Sequence, residues 1–325
     1  MKRSFLLLCA VLLVLGCALP CAAYRFARMT LAQSTAPSAA EASSAASEEG
    51  SGQATSPADT ADTVCFTDQS TGQAVELPLR EYLIGAVAAE MPVSWPDEAL
   101  KAQAVAARTF VASRNYRVDD STSSQVYLDD SQLRAAWKED YEESQQRVAA
   151  AVDATRGEIM VVDGEPITAF FFASSGGKTA NSEDYYSGEL SYLRSVESPW
   201  DAEVDSDYVT QFQCSREELG NALGLNAPIS VIEDPVRYDS GYVQSVTIDG
   251  VSFSGREIRE TLQLKSSCFT IAVDGDTITF TVKGFGHGVG MSQEGAQGMA
   301  LEGYGYEEIL QHYYTGIQFA DVYNS

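Results

Sequence analysis

Leu77-Pro-Leu-Arg-Glu-Tyr-Leu-Ile-Gly-Ala-Val-Ala-Ala-Glu-Met-Pro92 opens the folded part of this chain, and the order of elements after it sets the fold class. The stretch predicts a helix that runs to about Glu90 and stops at Pro92, because proline offers no N–H and crowds the preceding turn. A second helix should open at Pro96, a favoured first helical position, with Asp97 and Glu98 in its positive first turn. Ser94 with Asp97 resembles a capping box. This helix, to about Asn115, is rich in alanine, so a neighbour can approach it closely, and a third helical region spans about Gln132 to Thr155.

Strand patterns follow. Glu158 to Val162, then Asp163-Gly164, then Ile167 to Ala173 reads as a hairpin, and the same signature recurs at Asp249-Gly250 and near Asp274-Gly275. Short helices should begin at Ser215 and Ser254, another should run from Ser292 to about Leu301, and a last one from Tyr306 to Tyr313. Helices first, then hairpins mixed with short helices, indicate an α+β fold: a helical N-terminal part followed by β-hairpins and short helices around a single cleft.

Working outward, the ends are compositionally distinct. Lys2 and Arg3 precede an apolar run from Phe5 to Ala23 that reads as an export signal or an uncleaved anchor. Its length favours the anchor, and Val14-Leu15-Gly16-Cys17 also resembles a lipoprotein cleavage box. Residues 30 to 63, built from Ala, Ser, Thr, Glu, Gly and Pro, lack the apolar periodicity that repays the entropy of ordering, and read as a flexible tether. The expected organisation is a signal anchor over 1–29, a linker over 30–63 and one domain over 64–325, placed on the extracytoplasmic side.

A formal net charge of −25 and a pI of about 4.3 argue against nucleic acid as a partner, which needs a basic footprint. A neutral or weakly charged substrate fits better, with Arg108 or Lys178 supplying local positive charge. Beyond the apolar segment three cysteines remain, Cys65, Cys214 and Cys268, an odd number without short spacing that is neither a disulfide framework nor a zinc cluster and leaves either one bridge or, the favoured reading, three separate thiols. Two histidines, His287 and His312, exclude a His-rich metal site. No cofactor is expected.

Three segments can carry chemistry. Glu90 sits at a helix carboxyl end, whose partial negative charge disfavours an ionised carboxylate, and Met91, Val93 and Trp95 can desolvate it. A carboxyl kept protonated near neutral pH is what protonation of a glycosidic oxygen requires; the alternative is a solvated glutamate closing an ordinary helix. Phe-Phe-Phe-Ala-Ser-Ser-Gly-Gly-Lys, residues 170 to 178, ends a buried strand with Ser174 and Ser175, hydroxyls that suit a sugar, and Tyr185 and Tyr186 nearby suit stacking on one. Gly-Phe-Gly-His-Gly-Val-Gly, residues 284 to 290, misses the nucleotide-binding spacings, so its glycines read as permitting close backbone approach to a ligand or to another segment. His287 is either a ligand donor or a satisfied buried histidine, and Ser292 and Gln293 open a helix whose free amide groups face the same region.

Together these segments resemble the stage II sporulation protein D family. The resemblance is carried by residues 77 to 114 with Glu90-Met91-Pro92 and Lys101-Ala-Gln-Ala-Val-Ala-Ala-Arg-Thr-Phe110, and by Phe171 to Gly177. It continues through Tyr192 to Asp201 with Ser198-Pro-Trp-Asp, Ser254 to Leu264, and Gly286 to Ala296, in one unbroken order. It implies a membrane-tethered lytic transglycosylase of peptidoglycan acting during engulfment in sporulation, on glycan strands already stripped of stem peptides. It implies Glu90 as the catalytic acid and base, and Arg108, Ser174, Ser175, His287, Ser292 and Gln293 as lining a substrate groove that Gln125 and Tyr127 also reach. Implied partners are an amidase/endopeptidase and a membrane scaffold protein. Two departures stand out: Glu294 replaces a tyrosine common in relatives, and residues 119 to 128 lack the Cys and His through which some relatives bind zinc, so no metal is expected. The competing readings are a hydrolytic muramidase with a second carboxylate such as Asp97, Glu183 or Glu294, and a non-catalytic glycan-binding enhancer of a partner amidase.

Overall fold

Residues 63–68, 73–119, 125–186 and 188–323 are described by the computed structural model. The expected anchor, nearly all of the expected linker and half of the segment compared with the zinc-binding relatives lie outside them. The chain begins with a hairpin, β1 (Thr63–Asp68) and β2 (Gln73–Pro78), and enters α1 (Leu79–Glu90) and α2 (Asp97–Ser113). A short β3 (Arg117–Asp119) returns parallel to β1, closing a sheet ordered β2-β1-β3. Then come α3 (Asp130–Trp137), a 3-10 turn, α4 (Tyr141–Ala154), β4 (Glu158–Val162), β5 (Glu165–Pro166), β6 (Phe171–Phe172), α5 (Ser182–Tyr185) and α6 (Asp201–Val204). The remainder is β7 (Val209–Ser215), α7 (Arg216–Ala222), β8 (Val236–Arg237), β9 (Val243–Ile248), β10 (Val251–Ser254), α8 (Gly255–Leu262), β11 (Phe269–Asp274), β12 (Thr277–Lys283), β13 (Met291–Ser292), α9 (Gln293–Leu301), α10 (Tyr306–Tyr313) and β14 (Gln318–Asp321). Helices and small sheets mix as an α+β fold.

The centre is α2. Its alanines Ala99, Ala102, Ala104, Ala106 and Ala107 are all buried, and the helix packs against α1, α4, α9, α10 and β4. Small side chains let those backbones come close enough to share one core with Tyr82, Leu100, Met160, Leu193 and Tyr313. A second apolar cluster forms separately from residues 209–283: Leu219, Val246, Ile248, Ile258, Phe269, Ile278 and Phe280. It sits between the sheet β11-β12-β7, the sheet β10-β9-β8, and α7 and α8. Capping boxes start both of these helices, at Ser215 with Glu218 and at Ser254 with Glu257, where the sequence places their beginnings.

The Asp-Gly pairs turn as expected, with Asp163, Gly164, Asp249 and Gly250 all at positive φ. Three local expectations need correcting. Ser94 does not cap α2: the helix begins at Asp97, its cap is Pro96, and proline has no side-chain acceptor to offer the first-turn amides. The third helical region is two helices, broken where Lys138 takes φ 51°, which turns Tyr141 back so that its hydroxyl donates to Asp130. The strand expected over 167 to 173 keeps ladder pairing only at Phe171 and Phe172, parallel to Met291 and Ser292. Just beyond it the pairing passes to the glycine loop, where Ser174 and Phe285 exchange backbone bonds of 2.9 and 2.6 Å.

Candidate active site

Glu90, the last residue of α1, is partly buried, and Gln293, the first residue of α9, donates from Nε2 to its Oε2 at 3.3 Å. The same Nε2 donates to Oε1 of Gln103 on α2 at 3.4 Å. Gln103 and Gln293 are buried, so two amides and one carboxyl form a short polar line where α1, α2 and α9 meet. On α1, burial, and then the Glu90 charge, push the Tyr82 hydroxyl above the ordinary tyrosine range. Tyr82 bonds Gln125 Oε1 at 3.5 Å and stacks on Tyr127 at 5.3 Å between centroids. Gln125 and Tyr127 are thus gathered around Tyr82. Gln125 itself is buried and donates to the Ala107 carbonyl at 3.3 Å.

What holds Gln293 in place is a buried carboxylate, Asp201. It accepts from the Ser175 amide at 2.7 Å and the Ser175 hydroxyl at 3.0 Å, and also from the hydroxyls of Ser198 and Ser292. Ser198 meets the Tyr313 hydroxyl at 2.7 Å. Burial pushes the Asp201 carboxyl up, while the Ser198, Ser292 and Ser175 bonds pull it down. Gly295 makes this cluster possible, since a Cβ there would collide with Tyr313 Oη, Ser198 Oγ and Asp201 Oδ2. Ser292 also caps α9, accepting from the Gly295 amide at 3.3 Å, so the link from Asp201 to Glu90 runs through two consecutive residues, Ser292 and Gln293.

The glycine loop serves a second segment of the chain. Gly290, at φ 82°, lies so close to the Phe170 carbonyl that any Cβ would overlap it. His287 projects from this loop among Phe170, Phe172, Tyr185 and Tyr186, with centroids 5.5 to 6.1 Å away. Its Nδ1 accepts from the Val289 amide at 3.1 Å. Burial and the Arg259 charge lower its pKa to about 3, against a bond to the Phe171 backbone that raises it, so the ring is neutral across the physiological range. Tyr185 accepts from Arg259 at 2.8 Å and lies under the Arg256 guanidinium.

The other expected residues divide clearly. Ser174 is buried beside the bridge to Phe285, and its Oγ has no hydrogen-bond partner among the described residues. Ser175 and Ser292, expected on the groove, are fully buried with their hydroxyls given to Asp201, so their work here is to hold backbone. Arg108 is placed differently from the expectation. It is buried against α4 and β4, donating to the Val152 and Glu158 carbonyls at 3.1 Å, and burial lowers its pKa to about 10. Arg108 thus ties helices to a strand, and Lys178 pairs with Glu197 at 2.6 Å. Asp97 is taken by Arg147 at 2.8 Å and Glu183 by Arg194, while Glu294 follows Gln293 on α9.

Gln103 and Asp201 were within the quoted motifs yet were not singled out. A glutamine flanked by alanines on an otherwise apolar helix, and an aspartate closing Ser-Pro-Trp-Asp, were the available signals. Cys65, Cys214 and Cys268 are separate free thiols, as their spacing indicated.

Residues 67–162 match the family described as stage II sporulation protein. Stage II sporulation protein D of Bacillus amyloliquefaciens is 42% identical over 259 residues, covering 76% of this chain and 75% of the relative. The protein of the same name from Bacillus subtilis strain 168 is 40% identical over 271 residues, 78% of each chain. An amidase enhancer of Bacillus subtilis strain 168 is 29% identical over 294 residues, 72% of this chain but 39% of that protein. With two relatives matched over three quarters of both partners, and with Glu90 and Gln293 meeting from the two ends of the matched order, this chain belongs to the stage II sporulation protein D family.

Proposed function

We propose that the chain is a membrane-tethered lytic transglycosylase that cleaves peptide-stripped peptidoglycan strands between MurNAc and GlcNAc during engulfment. The observation that carries this is the 3.3 Å bond from Gln293 to Glu90, which fixes a partly buried carboxyl at a junction of three helices. Glu90 gives its proton to the bridging oxygen as the C1–O bond breaks, and GlcNAc leaves with its hydroxyl restored. The C6 hydroxyl of MurNAc then attacks C1, returning its proton to Glu90 and closing a 1,6-anhydro ring. Because the nucleophile belongs to the sugar, one carboxyl suffices for both transfers. The muramidase reading needs a second carboxylate, and the engagement of Asp97 by Arg147 and of Glu183 by Arg194 weighs against two of its three candidates.

Mass spectrometry of products from peptide-free glycan tests this. Wild type should release anhydro ends. Glu90→Gln should lose at least about a hundredfold in rate while unfolding at the wild-type temperature. Reducing ends would establish hydrolysis, and full activity in the variant would remove Glu90 from the mechanism. A second reading comes from the relative named amidase enhancer, namely that this chain binds glycan and stimulates a partner amidase. Inactivity of the purified full chain alone, with stimulation of an added amidase that survives Glu90→Gln, would favour that reading. An amidase/endopeptidase that supplies the stripped strands, and a membrane protein that holds both, complete the proposed setting.

A further inference from the structure

We propose that Arg256, Arg259 and the Tyr186 hydroxyl form a carboxylate-binding niche that recognises the lactyl carboxylate of a stripped MurNAc. This rests on the reading of the chain as a protein that acts on peptide-stripped glycan, and it concerns which strand is held, not the proton transfer at Glu90. Where a stem peptide is attached, the lactyl carboxyl is an amide and neutral. Removing the peptide gives each MurNAc one negative charge that the unstripped sugar lacks.

The niche lies where α8 meets the end of α5. Arg256 and Arg259, three apart on α8, share a face, and their guanidinium carbons lie 4.8 and 6.0 Å from the centroid of the Tyr185 ring. Tyr186 meets that ring edge-on at 5.1 Å. Arg259 is buried; it donates from Nε to the Lys265 carbonyl at 3.3 Å and from Nη1 to Tyr185 Oη at 2.8 Å, and it pairs with no carboxylate among the described residues. The acids of these two helices are directed elsewhere. Glu260 pairs with Arg256 and Glu183 with Arg194, Glu257 caps α8 at Ser254, and Asp184 accepts from the Asn181 amide at 3.2 Å. A buried guanidinium without a counter-charge is costly, and tying α8 to a tyrosine does not require one.

Tyr186 supplies a second, independent sign. It is buried, and its hydroxyl has no hydrogen-bond partner among the described residues, although buried tyrosine hydroxyls ordinarily find one. Burial pushes its pKa up, while the Arg256 and Arg259 charges pull it down. An unmet hydroxyl donor within the field of two guanidiniums calls for an anionic acceptor. A carboxylate accepts only, and its two oxygens match the guanidinium fork. Arg256, with 21% of its side chain exposed, offers the approach from solvent. The chain carries a net charge of −25, and the cations expected to offset it, Arg108 and Lys178, are engaged with backbone carbonyls and with Glu197. Both tyrosine rings stand 5.7 Å from His287, whose Cα is six residues and thus at most about 22 Å from that of Gln293, the partner of Glu90. A strand of several sugars spans that interval.

Binding tests this without cleavage. The full chain carrying Glu90→Gln is titrated with peptide-free strands, with the same strands after their lactyl carboxylates are capped as methylamides, and with GlcNAc oligomers, which have no lactyl group. Uncapped strands should bind about tenfold more tightly than capped ones. Tyr186→Phe should shrink that preference severalfold without lowering the unfolding midpoint, because the hydroxyl has no protein partner to lose. Arg256→Gln should shrink it at least as much, and both variants should bind GlcNAc oligomers as before. Equal affinity for capped and uncapped strands, or a preference that neither substitution changes, overturns the proposal. If wild type cleaves nothing yet the preference stands, the catalytic reading alone fails. If it cleaves, but binds both strands alike, this inference alone fails.

Discussion

The helical body and the β-rich lobe of residues 209–283 are both well buried, but they spend their interiors differently. The lobe encloses Leu219, Val246, Ile258, Phe269 and Phe280, an apolar cluster whose cohesion comes from area removed from water. Its buried Arg259 and Ser266 stand at the seam, reaching Tyr185 of the body and bridging to the glycine loop at Gly286. The body buries Gln103, Ser175, Ser198, Asp201, Ser292 and Gln293 in one connected neighbourhood. Buried polar networks hold a specific geometry only when nearly every member is satisfied, and they are costly to disturb. The difference separates a part that supplies stability from a part that places one carboxyl.

That contrast can be broken by measurement. The largest effect should come from the lobe. Phe280 is fully buried and packs edge-on against Phe269 at 5.5 Å, so Phe280→Ala should cost about 3–5 kcal/mol in urea unfolding. Its folded fraction should nevertheless cleave glycan at the wild-type rate. A loss of rate in protein shown to be folded would mean that the lobe participates in the site.

Asp201→Ala inverts the expectation. Removing this carboxylate strands the Ser175 amide and the hydroxyls of Ser175, Ser198 and Ser292. Hydroxyls can rotate toward other acceptors, so the cost should be about 3 kcal/mol rather than the sum of four orphans. Rate per folded molecule should now fall, since Ser292 no longer fixes the start of α9 and Gln293 no longer meets Glu90 in register. Equal rates for Phe280→Ala and Asp201→Ala, both corrected for folding, would erase the distinction between the two regions.

Much of this was legible beforehand because the signals were local. Pro92 ends α1 beside Glu90, the Asp-Gly pairs turn the hairpins, and Ser215, Ser254 and Ser292 each cap a helix. What escaped was set by partners far along the chain. Arg108 looks like a groove cation in one dimension, and only the return of Val152 and Glu158 to α2 makes it a tie between elements. The glycines of residues 284–290 announce a close approach without naming the object, which proves to be the backbone of Phe170, Ser174 and Ser175 for Gly290 and Gly284, the Phe172 side chain for Gly286 and the Tyr242 ring for Gly288. Asp201 is one acidic residue among 46 Asp and Glu until Ser175 and Ser292 are folded onto it.

The smallest effect should appear where the body and the lobe meet, at His287. Its folded pKa is lowered to about 3 by burial and the Arg259 charge, whereas in the unfolded chain the ring protonates near the ordinary value of 6.5. Between these values the unfolded chain binds a proton that the folded one refuses, so stability is fully present above about pH 6.5 and is lost as pH falls toward 3. One such group gives a slope of at most about 1.4 kcal/mol per pH unit. Most carboxylates titrate below pH 5, which makes the interval from pH 6.5 to 5 the place to look. Urea unfolding across that interval should show wild type weakening, and His287→Gln should flatten the dependence while lowering stability at neutral pH through lost contacts with Phe172 and Tyr185. A wild-type curve already flat there would mean that the ring is charged inside its aromatic surround. The glycine loop would then carry a cation beside Arg259, and the division between a stabilising lobe and a polar body would no longer fall at this seam.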